Sequence, residues 1–193
     1  MSSFFCIMRR ALLLVDCQYD YIIGNMSVPN SVWYMDKLAN EIFETHGDYY
    51  ECIMFGVDQH PINHVSFKKE PEHCLQHSFG AAIYRGIYDA ALFYGKPIYY
   101  YLRGESTNII HHSLLSDIDS RLAMFRAMRE HKLEQIDVAG PSKSVLELIE
   151  DFYSFQKEKY LNVLLDFCPS ADCNKALKAF MDEKKIAYYE NSN

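Results

Sequence analysis

Short apolar runs rich in β-branched and aromatic residues alternate with longer amphipathic stretches from one end of the chain to the other. The runs at Ala11–Asp16, Glu51–Val57, Pro97–Leu102, Gln135–Gly140, Leu161–Asp166 and Ile186–Tyr189 predict six strands. Between them, Val32–Thr45, Ser120–Lys132, Ser144–Lys157 and Ala171–Lys184 repeat apolar residues at helical spacing, as in the stripe Val145, Leu148, Ile149 and Phe152. Strands separated by helices pair in parallel, because parallel neighbours need crossover connections. Leu12 to Val15 and Val163 to Leu165 are apolar on both faces, as strands covered on each side by helices are. The pattern therefore predicts an α/β chain, a three-layer α/β/α domain on a six-stranded parallel sheet. No repeat or linker divides residues 1–193, which are expected to form one domain. The stretch from Asp58 to Ala82 is too long for an ordinary connection and is expected to carry function.

Composition narrows the class. Of 193 residues, 49% are hydrophobic and the formal net charge is −7, with the basic residues scattered along the chain. That composition supports a sizeable core and argues against nucleic acid as a partner. No segment approaches the ~20 apolar residues of a membrane span. Arg9 and Arg10 follow the first apolar residues, whereas a secretory signal places its charges before them. The six cysteines (Cys6, Cys17, Cys52, Cys74, Cys168, Cys173) sit mostly in or beside apolar runs, as buried thiols do in a reducing compartment, so a cytoplasmic location is expected. Cys168 and Cys173 could begin a metal site, but no second pair completes it.

In open parallel sheets the ligand lies beyond the carboxyl ends of the strands, so the residues just after each strand matter most. Asp58 and His60 stand two apart at a strand end, where the period of two turns both side chains the same way and lets them share one cation. Pro61 stops a helix there, so His64 comes from an irregular turn, and His73 offers a further ligand from the far side of the long loop. Zinc, iron and manganese suit such a mixed set equally, and a polar turn with satisfied imidazoles is the plain alternative. Asp16 ends an otherwise apolar strand, either as a general base or as a cap for the next loop. Arg103 suits an anion, the Asp16 carboxylate or plain solvent. Ser144 near a helix start suits a cap or a nucleophile.

Three motifs together resemble the nicotinamidase branch of the isochorismatase-like cysteine hydrolases. They are Ala11 to Tyr21 with Asp16, Gln18 and Asp20; Asp58-Gln-His60-Pro-Ile-Asn-His64-Val-Ser-Phe67; and Pro71-Glu-His73-Cys to Gly80-Ala81. The resemblance implies the family's Rossmann-like six-stranded sheet. It also implies amide hydrolysis through a thioester, in which a cysteine attacks, an aspartate moves protons and a lysine completes the triad. By position Asp16 is the proton-transfer residue. Asp58, His60 and His73, with His64 as a further candidate, hold a divalent transition metal, and Gln18, Tyr21 and Glu70 face a small nicotinamide-like ligand.

The departures fall on the chemistry. Arg103-Gly104 stands where the family has lysine and glycine, Ser144-Val145 where it has cysteine and valine, and Glu70 where nicotinamidases place a tryptophan. A cysteine at its reference pKa of ~8.5 is within reach of activation, but an aspartate near ~3.9 is a poor base for a serine hydroxyl. Arginine cannot give up a proton and is wider and flatter than an ammonium. Two readings follow. One is a pseudoenzyme, a metal-binding homologue that binds a ring carboxamide or serves in assembly, a homo-oligomer included. The other is a hydrolase in which water activated at the metal, helped by Asp16, replaces the thiol.

Overall fold

The computed structural model describes residues 8–45, 47–172 and 174–190. Cys6 and Cys173 lie outside the described residues. In chain order the elements are β1 (Arg10–Val15), α1 (Tyr19–Ile22), α2 (Ser31–Glu44), β2 (Tyr50–Asp58), α3 (Arg85–Tyr94), β3 (Ile98–Arg103), α4 (Ile118–Glu130), β4 (Gln135–Ala139), α5 (Ser142–Ser154), β5 (Leu161–Leu164), α6 (Lys175–Lys184) and β6 (Ala187–Tyr189). The six strands form one sheet in the order β3-β2-β1-β4-β5-β6, every pair parallel. Sequence periodicity and structure agree on all six strands.

β1 shows why the central strands are apolar throughout. Ala11, Leu13 and Val15 pack into one core with residues of α4, α5 and α6, while Leu12 and Leu14 point into a second core with α2 and α3. All five are at most 1% exposed, and burying one such leucine contributes about 1.5–3 kcal/mol. Among the described residues no helix is long and apolar enough to cross a membrane.

Helices α4 and α5 start two residues earlier than the sequence reading placed them and α1 is additional to it, and three further differences have identifiable causes. Residues 85–94, unassigned there, form α3, whose buried stripe is Ile87, Ala90, Ala91 and Tyr94; two alanines and a tyrosine give that stripe a weak hydrophobic signal. α6 starts at Lys175 rather than Ala171, because Ser170 and Asp172 take the backbone N–H groups of Asn174 and Ala176 into a turn. β5 ends at Leu164, so Asp166 lies on a short 3-10 turn off the strand.

The strand order reverses direction beside β1, whose neighbours are β2 and β4. The chain leaves β1 and β4 toward opposite faces there, opening a crevice at their carboxyl ends.

Candidate functional site

A cavity of about 500 Å³ opens at this carboxyl edge, walled by Asp58, His60, His73, Arg103 and Ser144 among others. Asp58 is the last residue of β2 and lies directly across from Arg103, the last of β3. The long loop returns to the same place because His60 forms a β-bridge with Leu75: His60 N donates to Cys74 O at 2.8 Å and Gln76 N to His60 O at 2.9 Å. That bridge brings His73 beside His60. His60 Nε2 is 3.6 Å and His73 Nε2 is 3.9 Å from Asp58 Oδ2, and the three ligand atoms lie within 4.8 Å of one another.

The second nitrogen of each ring is already held. His60 Nδ1 lies 3.2 Å from Gly104 O and His73 Nδ1 2.8 Å from Pro71 O. A carbonyl only accepts, so each Nδ1 is the donor and each Nε2 is left facing the carboxylate. Two imidazole nitrogens and a carboxylate oxygen turned toward one another fit a cation, and orientation through the far nitrogen is how metal-binding histidines are commonly fixed. Gly104 makes the approach possible: its φ is +79°, and a Cβ there would lie 2.3 Å from His60 Cε1.

His64, a candidate ligand from the sequence, does not join this trio. Its Nδ1 accepts from Ser66 N at 3.3 Å and contacts Ser66 Oγ at 2.7 Å, while Nε2 faces Ile109 O at 2.9 Å. Both nitrogens are engaged, and the ring stacks on His60 with centroids 4.2 Å apart.

Asp16, Arg103 and Ser144 meet behind the metal-capable trio. Asp16 is fully buried with φ +51°, a left-handed turn that swings its carboxylate off β1. Arg103, 4% exposed, donates Nη2 to Asp16 Oδ2 at 2.6 Å and Nη1 to the His112 carbonyl at 2.9 Å. It also forks onto Asp58, with Nε to Oδ1 and Nη2 to Oδ2 at 3.2 Å. Arg103 is thus neither a solvated arginine nor an open anion site. Burial raises the Asp16 carboxyl to about 7, against the lowering pull of Arg103 and a hydrogen bond from Ser144, with Asp58 adding repulsion. Its Oδ1 has no hydrogen-bond partner among the described residues. Burial also opposes the Asp58 carboxylate, but the charge and hydrogen bonds of Arg103, with His60 close by, hold it well below the usual range. Ser144 is buried in the first turn of α5 rather than at its cap.

The remaining expectations divide. Tyr21 lines the cavity and donates to Asp58 Oδ2 at 2.5 Å, and Glu70 lines its rim, 3.4 Å from Lys143 Nζ. Gln18 does not reach the cavity wall. Its amide is spent on backbone, Nε2 donating to Asp58 O and Ala81 O at 2.8 and 2.7 Å and Oε1 accepting from Asp58 N at 2.8 Å. It fastens the turn after β1 to the end of β2. Cys17, Cys52, Cys74 and Cys168 are free and buried, and burial pushes all four thiols above their ordinary range.

No protein-family model matches the chain. The nicotinamidase of Escherichia coli strain K12 is 25% identical over 181 residues, covering 82% of each protein. The chain is similar in sequence to a nicotinamidase and shares the nicotinamidase fold. Among solved nicotinamidase-type structures, the pyrazinamidase of Pyrococcus horikoshii in complex with zinc superposes with a TM-score of 0.74, at 18% identity and over 95% of this chain and 99% of that one. The yeast nicotinamidase bound to the inhibitor nicotinaldehyde gives 0.75, at 18% identity over 94% and 100%.

Within this nicotinamidase-like frame, sequence reasoning anticipated Arg103 beside Asp16 but not its fork onto Asp58. It also missed Lys69, Ile110, His111, His112, Lys143 and Glu147 on the cavity wall. The loop after β3 works largely through main-chain oxygens, Gly104 on His60, Ile109 on His64 and His112 on Arg103. Backbone carbonyls leave no residue-type signature to read.

Proposed function

We propose that this chain is a metal-binding nicotinamidase homologue that takes up a small ring carboxamide, or the matching acid, without hydrolysing it through a thiol. Asp58, His60 and His73 are the metal ligands of this reading, and a divalent cation held there supplies a Lewis-acid anchor for the ligand's ring. The observation that carries the loss of thiol chemistry is the arginine fork: one guanidinium is hydrogen-bonded to Asp16 and Asp58 together. In the lysine's place stands a group that cannot release a proton, and in the cysteine's place a serine. Ser144 does contact Asp16, but a serine hydroxyl is a far weaker acid than a thiol, and the base beside it is a carboxylate already engaged by Arg103 Nη2 at 2.6 Å. No activated thiolate is present among the described residues, since each thiol is buried and raised.

The test pairs two measurements on zinc- or manganese-loaded protein. Calorimetry with nicotinamide and nicotinate is expected to show saturable binding that is lost in His73→Ala. Ammonia release from nicotinamide is expected to stay at background. Turnover in the common enzyme range of ~1–1000 per second would overturn the reading.

A further inference from the structure

We propose that Tyr21 competes with the metal for Asp58 and so sets the affinity of the centre, an inference that rests on the metal reading above. Tyr21 lies on the four-residue helix α1 and is 8% exposed. Its hydroxyl donates to Asp58 Oδ2 at 2.5 Å, and its ring meets His73 edge-on with centroids 5.8 Å apart.

An ionised carboxylate offers about four acceptor positions, two on each oxygen. On Asp58, Oδ1 accepts from Arg103 Nε, while Oδ2 accepts from Tyr21 and from Arg103 Nη2 at 3.2 Å. Both positions of Oδ2 are filled, yet Oδ2 is the oxygen that faces His60 Nε2 and His73 Nε2 at 3.6 and 3.9 Å. Donors bonded at about 2.0–2.2 Å to a first-row cation stand roughly 3.0–3.5 Å apart. Uptake of a cation therefore requires Oδ2 to move toward the imidazoles and to release one of its two hydrogen-bond donors.

The two donors are not equally free to leave. Arg103 is pinned by Asp58 Oδ1, by Asp16 Oδ2 and by the His112 carbonyl, so its guanidinium stays in place. The Tyr21 hydroxyl makes a single hydrogen bond to the cluster, the one to Asp58. The phenol is the donor that yields, and the lost charge-assisted bond is subtracted from the metal's affinity. Removing the hydroxyl removes that competition.

The experiment titrates metal-free full-length protein and its Tyr21→Phe variant with cobalt(II) in competition with a chromogenic chelator, with His60→Ala and His73→Ala alongside. Tyr21→Phe is expected to bind cobalt about tenfold more tightly or better, the scale of a hydrogen bond to a charged group. A purely structural role would lower the unfolding midpoint of the metal-free variant without tightening cobalt binding. Equal or weaker cobalt affinity in Tyr21→Phe, with both histidine variants abolishing uptake, would overturn the competition alone. Uptake insensitive to the histidine variants, or absent from wild type and Tyr21→Phe alike, would overturn the metal reading and this inference together. Uptake by Tyr21→Phe but not by wild type would support it in its strongest form.

Discussion

Replacing Asp16 by asparagine should make the protein more stable at pH 8 and leave it nearly unchanged near pH 4. Burial raises the Asp16 carboxyl from its ordinary 3.8 to about 7. Between those values the folded protein keeps a proton that the unfolded chain releases. A state that binds more protons loses ground as pH rises, so wild-type stability declines through this window and levels off above it. One carboxyl contributes at most about 1.4 kcal/mol per pH unit, so the window is worth on the order of 4 kcal/mol. Asp58 does not enter it: its carboxyl is held low, so its contribution is present above about pH 4 and is lost only below. Asparagine keeps the shape and can still accept from Arg103 Nη2 through its amide oxygen, while remaining neutral throughout. Urea unfolding of both proteins from pH 4 to 8 measures the difference, and titrating groups remote from Asp16 cancel. With a urea slope of about 2 kcal/mol per molar, the gap between midpoints should widen by about 2 M across the range. Parallel curves, with a gap independent of pH, would refute the account of Asp16 as a buried, largely proton-bearing acid at the mouth of the sheet.

Two further outcomes follow from the same geometry. The double substitution Ser144→Cys with Arg103→Lys should place a thiol beside Asp16 and an ammonium, and mass spectrometry should find it alkylated by iodoacetamide faster than Cys17, Cys52, Cys74 or Cys168; a rate no higher than theirs would count against position 144 as the old nucleophile position. Gly104→Ala should cost more than about 1 kcal/mol through its positive φ alone, and its Cβ should displace His60, so metal uptake and the unfolding midpoint fall together; undiminished uptake would show that the close approach of Gly104 does not position His60.

The strand content of this protein is written in its hydrophobic pattern because a sheet covered on both faces demands apolar residues at every position, as in Leu12 to Val15. The same logic made the strand-end residues legible. Once parallel strands are inferred, Asp16, Asp58 and Arg103 must gather at one edge. The helix at Arg85–Tyr94 was less visible, because its buried stripe is half alanine.

What the chain determined by itself was therefore the layer order and the chemical types available at the carboxyl edge. Only the tertiary structure decided which of them act on one another. Strand register set Asp58 against Arg103 and let a single guanidinium reach two carboxylates from different strands. The loop after β3 then sorted the histidines, its Gly104 carbonyl holding His60 with Nε2 toward Asp58 and its Ile109 carbonyl drawing His64 out of the trio. Spacing along a chain reports which side chains can share a face, but a ring nitrogen or a carboxylate oxygen has few bonding positions. Which partner fills each one is settled by distances of a few tenths of an ångström between segments tens of residues apart in sequence.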